Sequence, residues 1–191
     1  RVQTAIELLD AIMDAARNNG ASADVILAKG FRERRYAGSK DRRAIRDLVY
    51  RVIRAHGEIP FSGRAGMLAL ADPDVTAQFG SSSYGPPAVG PDELQQEPAP
   101  LPHWMRDAFL PSIDEAERAA MMERAPLDLR VNTLKADIAE VAARYPAAET
   151  IPAVPAGLRL DPPVDVEGDE AYQTGLIEVQ DAGSQLISAV C

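Results

Sequence analysis

A chain of 191 residues, 46% apolar and 26% charged, has the balance of an ordinary globular protein of one or two domains. Its longest comfortably apolar stretch, AGMLALA at 65–71, falls far short of the ~20 residues that cross a bilayer, and a single cysteine permits no internal disulfide, so a reducing cytoplasm is expected. The net charge of −9 conceals an asymmetry: residues 1–56 hold 12 Lys+Arg against 7 Asp+Glu, which leaves 8 against 22 for residues 57–191. An anionic partner meets the local field, so the basic block is judged separately from the acidic body.

In chain order, TAIELLDAIMDAA places Ile6, Leu9, Ile12, Met13 and Ala16 at helical spacing, and NNG at 18–20 stops that helix. A short helix follows over SADVILAKGF, with Ser22 as its cap. GSKDRRAIRDLVYRVIRAHG carries the strongest pattern: Ser39 is read as cap, Ile45, Leu48, Val49, Val52 and Ile53 make one apolar stripe, and Gly57 ends it. FSGRAGMLALAD and DPDVTAQFG predict two more short helices, the second with Asp72 as cap and Pro73 at its first position. From Gly80 to Pro102 proline, glycine and serine dominate, which predicts a linker or long loop. After it PHWMRDAF and SIDEAERAAMMER read as helices, the latter with a Ser112/Glu115 capping box.

The last third has a different rhythm. LDLRVN alternates like a half-buried strand, DIAEVAARY is a helix ended by Pro146, ETIPAV and GLRLD are two strands joined by PAG, GDEAY is a helical turn and LIEV a strand. The order β-α-β-β-α-β is the split arrangement of ferredoxin-like and RRM-like domains. Asp181 then caps a helix with Leu186, Ile187 and Val190 on one face, and a chain that stops beside such a face is expected to continue into a further domain.

Conventional active-site constellations are missing from the sequence. His56 and His103 have no Cys or carboxylate at ligand spacing, so no metal site is expected, and no glycine-rich loop follows a strand. Cys191 has no basic neighbour and is read as a packed thiol. The segment KGFRERRYAGSKDRRAIR at 29–46 is more suggestive. Its cations, interleaved with Phe31 and Tyr36, are the mixture that contacts phosphates and stacks on unpaired bases. The competing reading is a solvated face whose arginines pair with Glu33, Asp41 and Asp47.

APLDLRVNTLKAD at 125–137 and GLIEVQDAGSQL at 175–186, in this order and with PAGLRL between them, resemble the paired signatures of RsmB/Sun-type RNA cytosine methyltransferases of the Nol/Nop/Sun family. RRYAGSKDRRAIRDLVY upstream is similar to bacterial members, so the resemblance spans the whole chain. It implies an all-α NusB-like helical domain at 1–79, a linker or loop at 80–101, a small α+β RRM-like domain with its preceding helices at 102–180, and at 181–191 the start of a Rossmann-like methyltransferase domain. The loop that binds S-adenosylmethionine and the two catalytic cysteines of the family belong to that domain, so residues 1–191 are expected to hold no catalytic residue and no bound cofactor. The partner implied is RNA, ribosomal RNA first. Arg34, Arg35, Lys40, Arg42, Arg43 and Arg46 are the expected phosphate contacts, joined by Arg130, Asn132 and Lys135. Asn132 has the alternative of capping the turn that follows it, and Arg130 that of pairing with a carboxylate. Gln180, Asp181 and Ser184 are expected either to pack beside the cofactor domain or to cap the last helix. The rival reading is a stand-alone NusB-like module that binds RNA or a transcription factor without catalysis. Nothing in the pattern specifies an oligomeric state.

Overall fold

Val2, Ala5, Ile6, Leu9 and Met13 line one side of α1 (Val2–Arg17), and burying that stripe makes α1 the central helix of the first part of the chain. The computed structural model describes residues 1–91, 93, 96–106 and 108–191, and it divides the chain into two units, Arg1–Glu123 and Arg124–Cys191. In the first, α2 (Ala23–Glu33), α3 (Ser39–Ala55) and α4 (Gly63–Leu68) pack on α1. Leu9, Leu27, Val49, Val52 and Met67 are fully enclosed between them. The approach of α4 depends on Gly63: a Cβ there would lie 2.5 Å from the Ile6 carbonyl oxygen, and the Gly63 N–H donates to Asp10 Oδ1 at 2.6 Å. Three short helices complete the unit, α5 (Pro73–Thr76), α6 (His103–Arg106) and α7 (Glu115–Ala120).

Helix caps follow the sequence reading in part. Asp72 accepts from the first turn of α5 and Pro73 starts it, as expected, while Ser62, which the sequence reading did not name, caps α4. Ser39 is instead the first residue of α3, with Gly38 in the cap position. The capping box of α7 is formed by Asp114 and Glu117, not by Ser112 and Glu115. Asp114 has the carboxylate that serves three residues on, and Glu117 returns the bond to the Asp114 N–H at 3.1 Å.

The division of the chain departs from the expected one. The described residues of 80–101 contain no helix or strand beyond a single bridge of Ala99 with His56, yet they pack on the first unit, and the boundary falls between Glu123 and Arg124. Arg64 is the reason. Its guanidinium reaches the Pro87 and Ala88 carbonyls at 3.0 and 3.1 Å, pairs with Glu93, and lies 4.7 Å from the Phe79 ring centroid. The Gly57 N–H donates to the Ala99 carbonyl and Phe61 N–H to Gln96 Oε1, so the segment is a strap, not a linker. Asp92, Leu94 and Gln95 of this segment, and Asp107 of the expected helix 102–109, lie outside the described residues. Helices α6 and α7, expected with the second domain, belong to the first.

The second unit contains β1 (Leu127–Val131), α8 (Ile138–Ala142), β2 (Ala148–Thr150), β3 (Gly157–Leu160), α9 (Glu170–Gln173), β4 (Ile177–Val179) and α10 (Ala182–Val190). The strands form one sheet in the order β2-β3-β1-β4 with every neighbouring pair antiparallel. Each crossover, β1-α8-β2 and β3-α9-β4, therefore skips one strand, as the β-α-β-β-α-β order demands. The strand expected over 149–154 stops at Thr150, because Pro152 and Pro155 have no N–H for a ladder. Leu129, Val131, Leu158, Leu160 and Ile177 bury one sheet face with Val141, Tyr145 and Ala171. Gly175, at φ +70°, makes the left-handed turn that delivers the chain into β4.

Candidate nucleic-acid interface

The basic segment forms the end of α2, the turn 34–38 and the first turns of α3. Its six candidate cations separate into two groups. Arg34 is tied back to α1, donating to Glu7 at 2.8 Å, and its guanidinium holds the Glu7 carboxyl below the usual range. Arg42 donates through Nε to the Ala37 carbonyl at 2.8 Å and lies over the Phe31 ring, 5.9 Å from its centroid. These two hold the turn together and are not free for phosphate. Arg35, Lys40, Arg43 and Arg46 are exposed and have no carboxylate partner among the described residues, although Arg46 also lies over the Phe31 ring, 5.8 Å from its centroid. The pairing of these arginines with Asp41 that the competing reading requires does not form, since Asp41 takes Arg1 at 2.7 Å.

The two aromatics also diverge. Phe31 is 4% exposed and belongs to the core, so it cannot stack on a base; Tyr36 is 79% exposed in the middle of the turn. The helical stripe through Ile45, Val49 and Val52 is buried as the spacing requires, with Leu48 and Ile53 packed against it. It turns Arg43 outward on α3, beside Lys40 on the helix's first turn.

In the second unit Asn132 is occupied. Its Oδ1 accepts from the Leu134 N–H at 3.2 Å, and its Nδ2 donates to the Gly175 carbonyl at 3.1 Å, so it fixes the turn after β1 to the turn before β4. Lys135 donates to the Thr174 carbonyl at 2.9 Å in the same junction. Only Arg130 of this trio is exposed without a partner among the described residues, opposite Glu178 in the β1–β4 register. The polar sheet face it shares presents Asp128, Arg159, Glu149 and Glu178 and no aromatic side chain, so the base stacking by which RRM sheets read RNA has no platform here.

Asp128 is the residue that sequence reasoning passed over. It is 7% exposed, accepts from Arg159 Nε and Nη2 at 2.7 and 2.8 Å, and takes the Ala182 N–H at 3.0 Å. The Arg159 bond holds its carboxyl below the ordinary carboxylate range against the opposing effect of burial. One side chain thus joins β1, β3 and the N-terminus of α10. Asp181 caps that helix by accepting from the Ser184 N–H at 2.9 Å, and the Gln180 carbonyl accepts from Gln185 Nε2 at 2.8 Å. Of the two roles open to Gln180, Asp181 and Ser184, capping is the one their bonds serve. Leu186, Ile187 and Val190 face outward from α10, as does Cys191, which is exposed and not packed.

Among the described residues no strand is followed by a glycine-rich loop: β4 runs through Gln180 directly into the Asp181 cap. Among them, too, no group of three or more His, Cys, Asp or Glu is placed to hold a metal ion, and no helix is long and apolar enough to cross a membrane.

No family model matches the chain, and no curated protein does. Its fold is similar to the crystal structure of PH0851, with a TM-score of 0.61 at 15% identity. The likeness covers 100% of this chain and 55% of that one, so this chain spans about half the length of PH0851. At that identity the likeness is one of fold, and it extends over both units.

Proposed function

We propose that residues 1–191 are the RNA-recognition part of a Sun/RsmB-type RNA cytosine-5 methyltransferase, with a NusB-like first unit and an RRM-like, ferredoxin-type second unit. The methyl donor S-adenosylmethionine and the catalytic cysteines belong, on this reading, to a domain outside these residues. The observation that carries it is the exposure of Arg35, Lys40, Arg43 and Arg46, together with that of Tyr36 in the same turn-and-helix segment, on a chain of net charge −9. Selection for solubility alone does not gather four cations without carboxylate partners beside an exposed ring on an acidic protein, whereas phosphate contact and base stacking need that combination. The two sequence signatures support the same reading. RNA is held through the helical unit, since the sheet face of the second unit lacks stacking rings.

The test is binding of a structured ribosomal RNA fragment, followed by fluorescence anisotropy across a salt series. Arg35→Glu, Lys40→Glu and Arg43→Glu together should remove most affinity and lower the log-log salt slope by roughly 0.7–0.9 for each phosphate no longer neutralised. Tyr36→Ala should weaken binding by about 1–3 kcal/mol with the slope unchanged, because stacking releases no counterion. Unaltered affinity in the folded triple variant would refute the proposal.

A further inference from the structure

Between the C-terminal half of α1, the turn into α2 and the end of α3 lies an open-mouthed cavity of about 480 Å³. Ile12, Met13, Val52, Ile53 and Pro60 give it an apolar lining, and Asn19, Ser22 and Glu58 stand at exposed positions around it. The size is that of a small-ligand pocket, and a mostly apolar wall with few polar groups is the usual character of one.

One lining residue makes the cavity more than a gap between helices. His56 is 8% exposed, and its Nδ1 lies 2.9 Å from the Val52 carbonyl oxygen. A carbonyl oxygen only accepts, so in the neutral ring Nδ1 carries the proton and Nε2 holds the lone pair. That Nε2 is enclosed and has no partner among the described residues. Buried acceptors are rarely left in this condition, and each one calls for an explanation. The strap residue Ala99 pairs with the His56 backbone and not with its ring, so the strap does not supply the missing donor.

We propose that this cavity binds a small neutral aromatic molecule carrying one N–H or O–H donor, of the indole or phenol class, whose donor pairs with His56 Nε2. The lining contains no Lys or Arg and has Glu58 on its rim, which disfavours an anion. Glu58, exposed on the rim, is too little to replace a cation's hydration over an otherwise apolar wall. A flat one- or two-ring molecule fits the volume, buries its faces against Ile12, Met13 and Ile53, and presents its donor at the ring edge. Pairing asks the imidazole to tilt about its bond to Val52 until Nε2 meets the cavity, so the ring's own resonances report occupancy.

The experiment titrates indole and its isostere benzothiophene, which lacks the N–H, into the intact chain while the His56 ring resonances are followed by NMR. Indole should bind saturably, shift those resonances, and bind about five-fold or more tightly than benzothiophene, because only indole pairs the buried nitrogen. His56→Phe keeps the ring shape and should abolish the preference. Ala16→Trp, at an exposed lining position of α1, should fill the cavity and abolish binding of both compounds while helix content stays unchanged. This second variant decides the matter if His56→Phe fails to fold. No saturable indole binding, or equal affinity for the two compounds in the parent chain, overturns the proposal.

Discussion

Asp128 shows how much one side chain can organise. It stands on the polar face of β1 yet is enclosed, because α10 begins directly over it and lends it the Ala182 N–H. Asp128→Asn removes the charge that balances Arg159 and leaves the two-pronged bond incomplete. The expected loss is about 1–3 kcal/mol in the second unit, measured by urea unfolding near neutral pH, and it is moderated because Arg159 is half-exposed and can turn to water. The pH dependence has a definite sign. The folded-state carboxyl of Asp128 is held below its unfolded value, so its contribution is present above about pH 4 and is lost as pH falls through the lowered value. Parent and Asp128→Asn should therefore differ in stability at neutral pH and converge in strong acid. The alternation of LDLRV was enough to place Asp128 on a strand and opposite Leu127 and Leu129 in facing. It could not disclose the partners, which lie 31 and 54 residues further on, and the same distance effect hid the Arg34–Glu7 pair, 27 residues apart.

At the scale of the element, α3 was legible in its periodicity and not in its contacts. The 3.6-residue spacing sends Ile45, Val49 and Val52 inward, but whether an arginine on the other side is free depends on what the preceding turn offers it. Arg42 finds the Ala37 carbonyl and the Phe31 ring; Arg43, one residue on, finds neither. Arg42→Glu should cost about 1–2 kcal/mol of stability and Arg43→Glu within about 0.5 kcal/mol, read by thermal or urea unfolding of each single variant. The strap 80–101 teaches the converse. Proline and glycine disfavour helix and strand there, and the described residues form neither, yet composition is silent on packing, which Arg64 of α4 supplies together with the Gly57 and Phe61 amides. Arg64→Ala removes the donors to Pro87, Ala88 and Glu93 together, and the strap should become the first site of attack by a broad-specificity protease, where in the parent chain it resists.

The whole molecule consists of two units with separate cores, one gathered on α1 and one on the sheet, and nothing in their cores requires them to unfold together. The order of elements in both was readable, because it rests on local periodicity. The place of division was misread, since the most proline-rich stretch is the obvious candidate for a linker and the true boundary, Glu123–Arg124, is an ordinary run of charged residues before Pro126. Two outcomes follow from the observed boundary. Brief trypsin treatment should cut after Arg124, which is exposed, and release fragments 1–124 and 125–191, because the strap offers trypsin no Lys or Arg between Arg64 and Arg106. Hydrogen exchange then separates the cores in the intact chain. Asp128→Asn should speed exchange of the amides in β1 and β3 by the factor its stability loss implies, about ten-fold for each 1.4 kcal/mol, and leave the amides of Val49 and Val52 in α3 unchanged. Acceleration in α3 of the same size would mean that the two units open as one cooperative body, and the boundary at Glu123–Arg124 would then mark a change of structure without a division of stability.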